Sequence, residues 1–319
     1  MHSWYRWILQ YPTEVFPPRS KWRIEDIPDL EGRVVIVTGG NTGIGRVTIK
    51  YLLRANARVY MASRDPVKSL QAISELKTET GKEDLYFLQL DLGDLECVKR
   101  AAAEFAQKEK HLHLLFNNAG LMLVPMDQLT KDGFDLQFGV NALGPAYLTL
   151  LLMPLLLETA QASEPGSVRV INSSSMVHLY APSAGIDYRT LRAGPMRNKL
   201  SSWTAYAQSK WANVVFAREL ARRYSEKGVV SCVVHPGIVR TELLRHSSAF
   251  RRILHCFMFR PDSEGALTQL YAGTSPQAAD AHGQYFIPLA RRGVSRPDTY
   301  DVEAGKTFWT WVESVTAHV

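Results

Sequence analysis

A phenol and an ammonium stand four residues apart at Tyr206 and Lys210, in the run Tyr-Ala-Gln-Ser-Lys. On a helix, that spacing places both on one face. A nearby ammonium favours the ionised phenol, so the pair is expected to lower the tyrosine pKa toward working pH. Such a phenol can pass a proton to or from a carbonyl oxygen. By itself the pair carries little weight, since chance produces it often. Its meaning depends on what precedes it: a strand-like segment ending in Ser173-Ser174-Ser175, and far upstream a glycine turn.

That turn reads Thr38-Gly39-Gly40-Asn41-Thr42-Gly43-Ile44-Gly45 and joins an apolar run to a helical one. Gly39 allows a tight turn, Gly43 lets the backbone approach a pyrophosphate, and Gly45 lets the helix pack close to the sheet. The helix N-terminus adds amides and the positive end of its dipole. The spacing is Gly-x-x-x-Gly-x-Gly, so the generic dinucleotide fingerprint does not settle the matter; the position between strand and helix favours cofactor binding over a merely structural turn. With a dinucleotide bound there, Tyr206 and Lys210 point to hydride-transfer chemistry. The second strand ends Ala62-Ser63-Arg64-Asp65. An acid at the position of Ser63 would grip a ribose 2′-hydroxyl, whereas Arg64, helped by Arg46, suits a 2′-phosphate. NADP(H) is therefore the expected cofactor; NAD(H) served by Asp65 is the alternative.

The elements that must position these groups alternate along the chain. Apolar strand runs are expected at 34–37, 57–62, 85–90, 112–116, 168–173 and 229–234. Helices are expected from the glycine turn to about residue 56, then at 66–80, 95–110, 141–158 and 205–226. This pattern predicts a single-domain α/β Rossmann fold, a doubly wound parallel sheet with helices on both faces and ligands at the carboxyl edge of the strands. Residues 1–30 form a Pro- and Trp-rich arm laid over the body, and 31–319 form the dinucleotide-binding domain. A substrate-binding or lid segment is expected at about 242–265. There Phe250, Ile253, Leu254, Phe257 and Met258 make an apolar helical face, with Arg251, Arg252 and His255 on other faces. Such a stretch can close over an apolar substrate, lie on an anionic membrane, or simply pack on the body.

The 319 residues are 46% hydrophobic and 21% charged, enough for a sizeable core and unlike a disordered chain. The net charge of +6 is dispersed, and no basic block is interleaved with aromatics, so no nucleic-acid partner is expected. Cys97, Cys232 and Cys256 are scattered, which fits a reduced compartment, and no metal site is expected. The N-terminus lacks the pattern of a secretory signal, and the apolar stretch 148–157 is too short to span a bilayer. A cytoplasmic protein, or one peripheral on an intracellular membrane, is expected.

Taken in order, Thr-Gly-x-x-x-Gly-Ile-Gly at 38–45, Asp91-Leu92, Asn117-Asn118-Ala119-Gly120, Asn141, Ser175, Tyr206-x-x-x-Lys210 and Pro236-Gly237 resemble the short-chain dehydrogenase/reductase family. The resemblance covers almost all of the chain after residue 30. Leu-Leu-Phe-Asn-Asn-Ala-Gly-Leu-Met and Val-Val-His-Pro-Gly-Ile-Val-Arg-Thr-Glu-Leu look most like its retinol-dehydrogenase-like branch. The resemblance implies that Asp91 holds the adenine amino group, with Leu92 beside the ring. Asn118, Ala119 and Gly120 would stabilise the sheet and line the adenine ribose. It makes Tyr206 the general acid in reduction and gives Lys210 the nicotinamide ribose. Ser175 would hold the substrate oxygen, with Ser174 the alternative, and Asn141 would anchor a proton-relaying water. Pro236, Gly237, Ile238 and Thr241 would wrap the nicotinamide. Dimers or tetramers built on the helices around Leu148 and Phe216 are also implied.

The reading is an oxidoreductase interconverting a carbonyl and an alcohol on an apolar small molecule. From another class, a cofactor-binding scaffold or redox sensor needs only the glycine turn; the set Asn141, Ser175, Tyr206 and Lys210 argues against it.

Overall fold

In the computed structural model, which describes residues 10, 12–239 and 260–319, the central strand β1 (Val34–Thr38) is buried along its whole length. Its alternate side chains feed two cores. Val34 and Ile36 join one face of the sheet, Val35 and Val37 the other. This is the two-sided burial expected of a parallel strand flanked by helices on both faces.

The strands that follow are β2 (Arg58–Ser63), β3 (Leu85–Gln89), β4 (Leu114–Asn117), β5 (Val168–Ser173), β6 (Val229–Val234), β7 (Tyr285–Ile287) and β8 (Arg291–Gly293). They form one sheet in the order β3-β2-β1-β4-β5-β6-β7-β8, parallel except for the antiparallel β7–β8 pair. The chain reverses its winding between β1 and β4, and a ligand crevice is expected at that switch point.

The helices are α1 (Gly43–Arg54), α2 (Pro66–Thr80), α3 (Leu95–Lys108), α4 (Gly144–Gln161), α5 (Ser202–Tyr224), α6 (Asp262–Thr274) and α7 (Val302–Thr316). Side chains of α1, α2 and α6 pack on one face of the sheet, and those of α3, α4, α5 and α7 on the other. Local chemistry sets the helix starts. Asp65 accepts from the Lys68 amide at the head of α2, with Pro66 in the first turn, and Ser201 accepts from the Thr204 amide at the head of α5.

The structure departs from the sequence reading in several places. The helix expected to begin at Asn141 is preceded by an α-helical turn (Leu136–Phe138) and a π-helical turn (Gly139–Leu143) that holds Asn141 itself. The continuous helical run 136–161 is therefore longer than the apolar stretch 148–157 suggested. It is long and apolar enough to cross a membrane, but 67% of its most apolar window is buried inside the protein. Leu148 and Phe216, the expected assembly surface, are also buried within the chain; Phe216 stacks on Trp309 of α7 with ring centroids 5.8 Å apart. The connection from β5 to α5, residues 174–201, carries three short 3-10 turns. From Asp262 the expected lid segment is the start of α6; Thr241 and the apolar face at 250–258 lie outside the described residues. Within the described part of the arm, Trp22 is buried, edge-on to Tyr271 of α6.

Candidate active site

The switch-point cleft is lined by Gly39, Asn41, Thr42, Gly43, Ile44 and Gly45 from the turn, Ser63 and Arg64 after β2, and Asp91 and Leu92 after β3. Asn118, Ala119 and Gly120 after β4, Tyr206 and Lys210 of α5, and Pro236 after β6 complete the expected lining. Residues more than a hundred positions apart thus meet at the carboxyl ends of the parallel strands.

The turn is tight for a steric reason. Gly39 has φ +67°, a conformation L side chains rarely adopt. A β-carbon on Gly45 would lie 2.4 Å from the Gly39 carbonyl oxygen and 2.6 Å from Asn118 Nδ2, so α1 can start this close to the sheet only with glycine there. Thr38, expected to bind cofactor, does not line the cleft. Its buried hydroxyl donates to the Phe116 carbonyl and accepts from the Asn118 and Ala119 amides at 3.0 Å each, tying β1 to the end of β4. It shapes the site from behind.

At the end of β2, the Ser63 hydroxyl shares a 2.6 Å hydrogen bond with the Ser69 hydroxyl. The Asp65 carboxylate is occupied capping α2. Arg46 is drawn into an ion pair with Glu75 at 2.6 Å, so its expected part in phosphate binding is not supported. The cations that do line the cleft here are Arg64 and Lys68. Lys68 was absent from the sequence reading; its signal was its place in the first turn of the helix after β2. Asp91 lines the cleft while one carboxylate oxygen accepts from the Gly93 amide at 2.9 Å.

The side chains that could move a proton are gathered at the other end. The Ser175 hydroxyl, which accepts from the Val177 amide at 3.2 Å, lies beside Tyr206, where hydrogen bonding to the phenol oxygen favours the phenolate. Lys210 donates its ammonium to the Ser173 carbonyl at 3.0 Å and sits 5.6 Å from the Tyr206 ring centroid. The expected lowering of the phenol pKa by Lys210 does not hold here. Burial dominates, pushing Tyr206 up to about 12, while the Ser175 bond pulls the other way. Burial also brings Lys210 down to about 8, because a buried ammonium loses its hydration.

The two candidate serines differ: Ser174 lines the cleft and Ser175 does not, but their partners divide them the other way. Ser174 is buried and donates to the Lys210 carbonyl at 2.7 Å, a structural tie between β5 and α5. Ser175 faces Tyr206. Asn141 does not line the cleft. Its amide is held by the Leu121 backbone, accepting from N–H at 2.7 Å and donating to C=O at 2.9 Å, and it also donates to the Ser209 hydroxyl. Gly120 lies against it: a β-carbon there would be 3.3 Å from Asn141 Oδ1 and 3.5 Å from Lys210 Nζ. Gly237 has φ +93°, and neither it nor Ile238 lines the cleft.

A family model described as short chain dehydrogenase matches residues 33–196 and 192–252. The chain belongs to the short-chain dehydrogenase family. Within it, the relatives place the chain in the retinol-dehydrogenase-like branch. A short-chain dehydrogenase/reductase of Armillaria gallica is 50% identical over 301 residues, covering 94% of this chain and 96% of the relative. Human retinol dehydrogenase 12 is 39% identical over 282 residues, covering 88% and 85%. Among solved structures, an uncharacterized Mycobacterium paratuberculosis protein superposes with a TM-score of 0.69 at 31% identity, covering 93% and 97% of the two chains. A Pseudomonas aeruginosa RhlG/NADP active-site complex superposes with a TM-score of 0.64 at 25% identity, covering 82% and 96%. The short-chain dehydrogenase fold expected from the motifs is therefore the fold observed.

Proposed function

We propose that this chain is an NADP(H)-dependent oxidoreductase that interconverts a carbonyl and an alcohol on an apolar small molecule. One observation carries the reading: Tyr206 and Lys210 line the same cleft as the glycine turn, Arg64 and Lys68, with Ser175 beside Tyr206. The cleft fits a dinucleotide, since a β-carbon at Gly45 would collide with the turn, and glycine leaves backbone amides free to approach a pyrophosphate. Arg64 and Lys68 would meet a 2′-phosphate, with Asp65 already engaged by its own helix. The NADP complex of the Pseudomonas aeruginosa relative supports this choice. Relatives named retinol dehydrogenase support an apolar substrate.

When bound, NADPH supplies the hydride that a carbonyl carbon accepts. Ser175 donates a hydrogen bond to the carbonyl oxygen and fixes its position. Tyr206, fully protonated at neutral pH, gives its proton to that oxygen as negative charge develops. Lys210 stabilises the resulting phenolate and, with its own pKa near 8, can resupply the proton. Gly120 and Asn141 hold the backbone beside that ammonium.

The test is cofactor oxidation by purified protein, NADPH beside NADH, with a panel of apolar aldehydes and ketones and Tyr206→Phe as control. NADPH-selective turnover abolished in the control supports the reading. Tight NADPH binding without Tyr206-dependent turnover on any carbonyl of the panel counts against it and favours a binding role.

A further inference from the structure

Behind the Pro236–Gly237 turn lies a buried polar group that the chemistry above does not use. Glu14 of the N-terminal arm is 4% exposed and His235 is 2% exposed. Glu14 Oε2 and His235 Nε2 lie 3.5 Å apart, in contact but not hydrogen-bonded, and among the described residues neither atom has a hydrogen-bond partner. The other imidazole nitrogen, Nδ1, accepts from the Gly237 amide at 3.3 Å.

The hydrogen-bond chemistry fixes the proton. An N–H can donate only to a lone pair, so Nδ1 carries no hydrogen and the neutral ring holds its proton on Nε2, the nitrogen that lies against Glu14. Burial depresses His235 to about 3, which keeps the ring neutral, and raises Glu14 to about 7. The groups facing this pair are Gln10 and Arg291 at Glu14, His178 at His235, and the Tyr285 phenol beside the carboxylate. Gln10 is itself pinned: its amide nitrogen donates to the Val294 carbonyl at 2.9 Å and to Glu14 Oε1, and its oxygen accepts from the Val294 amide at 2.8 Å. Glu14 is therefore held by a fixed donor on one oxygen and presents the other to His235.

We propose that Glu14 is a positioning residue for the nicotinamide end of the cleft, acting through the His235 tautomer on the Gly237 amide. The proposal rests on the NADP(H) reading. The Pro236–Gly237 turn follows β6 at the cleft, and its left-handed Gly237 is held by this bond on one side and packed against Pro288 on the other. A carboxylate that orients an imidazole is a common way to set the geometry of the group on its far side.

Glu14→Gln tests it with almost no change in volume. The pinned Gln10 donor selects the new amide oxygen, so the new NH2 faces His235. Two donors cannot face one another, and the proton shifts to Nδ1, where it opposes the Gly237 amide. At pH 8, affinity for NADPH is expected to fall about tenfold, the scale of one lost buried hydrogen bond. Affinity for 2′-phospho-ADP-ribose, which lacks the nicotinamide, should stay within twofold of wild type. His235→Asn supplies a background in which the new side-chain oxygen accepts from the Gly237 amide without help from Glu14. Adding Glu14→Gln there should cost nothing further, a coupling read by the double-mutant cycle. The proposal is overturned if Glu14→Gln weakens both ligands equally, weakens neither, or costs as much in the His235→Asn background as in wild type. If wild-type protein binds neither ligand, the NADP(H) reading itself fails and takes this inference with it.

Discussion

Lys210 donates its buried ammonium to the Ser173 carbonyl at 3.0 Å, so the last peptide of β5 fixes the position of the charge beside Tyr206. Strand and helix are thus registered by the same side chain that the chemistry needs. Two substitutions should separate the roles. Tyr206→Phe removes the proton donor but no part of that anchor, so turnover should fall by at least about 10²-fold while NADPH affinity stays within about twofold. Lys210→Met removes both charge and anchor, so turnover and NADPH affinity should fall together. Steady-state kinetics beside fluorescence titration with NADPH measures both.

The two serines after β5 should respond differently to alanine. Ser175→Ala removes the hydroxyl that touches Tyr206, and kcat should drop by roughly 10²–10⁴ with little change in melting temperature. Ser174→Ala deletes the bond to the Lys210 carbonyl, which should cost about 1 kcal/mol of stability and leave most of kcat. Equal kinetic losses in the two variants would remove the distinction drawn between them.

Cofactor choice should follow the cations that line the cleft rather than every cation near it. Arg64→Ala should raise the KM for NADPH by about tenfold or more and leave that for NADH nearly unchanged, since only the 2′-phosphate is lost as a partner. Lys68→Ala should act in the same direction. Arg46→Ala should have little effect on either, because that guanidinium already pairs with Glu75 at the surface.

Stability should rise with pH between about 4.5 and 6.5. Burial holds His113 and His178 near 4 and His235 near 3, all below the ordinary 6.5. Below pH 6.5 the unfolded chain takes up protons that these three folded rings refuse, so stability is lost as pH falls. Glu14 opposes the trend: its carboxyl is raised from 4.5 to about 7, so the folded state keeps a proton that the unfolded state gives up. Three rings against one carboxyl leave the histidines dominant. Thermal melts at pH 5 and pH 6.5 should show the lower melting temperature at pH 5, with a wider gap in Glu14→Gln.

What could be read from the sequence were the features set by local pattern. The bounds of β5 and β6 emerge directly from runs rich in β-branched apolar residues, and α2 from Pro66 and Gly81. The glycine turn, Tyr206 and Lys210 were legible because their spacing carries their chemistry. The three-residue strands β7 and β8 were not, since each is too short to show a period and exists through its pairing with a neighbour. The π-helical turn at Asn141 was invisible for a related reason: its side-chain amide is held by Leu121, and no periodicity records that bond. Arg46 loses its expected part because Glu75 captures it, a contact spanning 29 positions, and Lys68 lines the cleft instead. The partnership of Glu14 with His235 spans still more of the chain and has no local signature.

That last distance bears on how the protein comes into being. Gln10 is tied to Val294 and Trp22 to Tyr271, so these residues of the arm find their seats only among residues made long after them. Until then the stretch around Gln10 and Glu14 lacks these partners, and the turn behind the nicotinamide end lacks its support. Closing so long a loop comes late in folding. A nascent chain should therefore acquire its adenine-side half, built from β1 to β4, well before it can grip a whole cofactor.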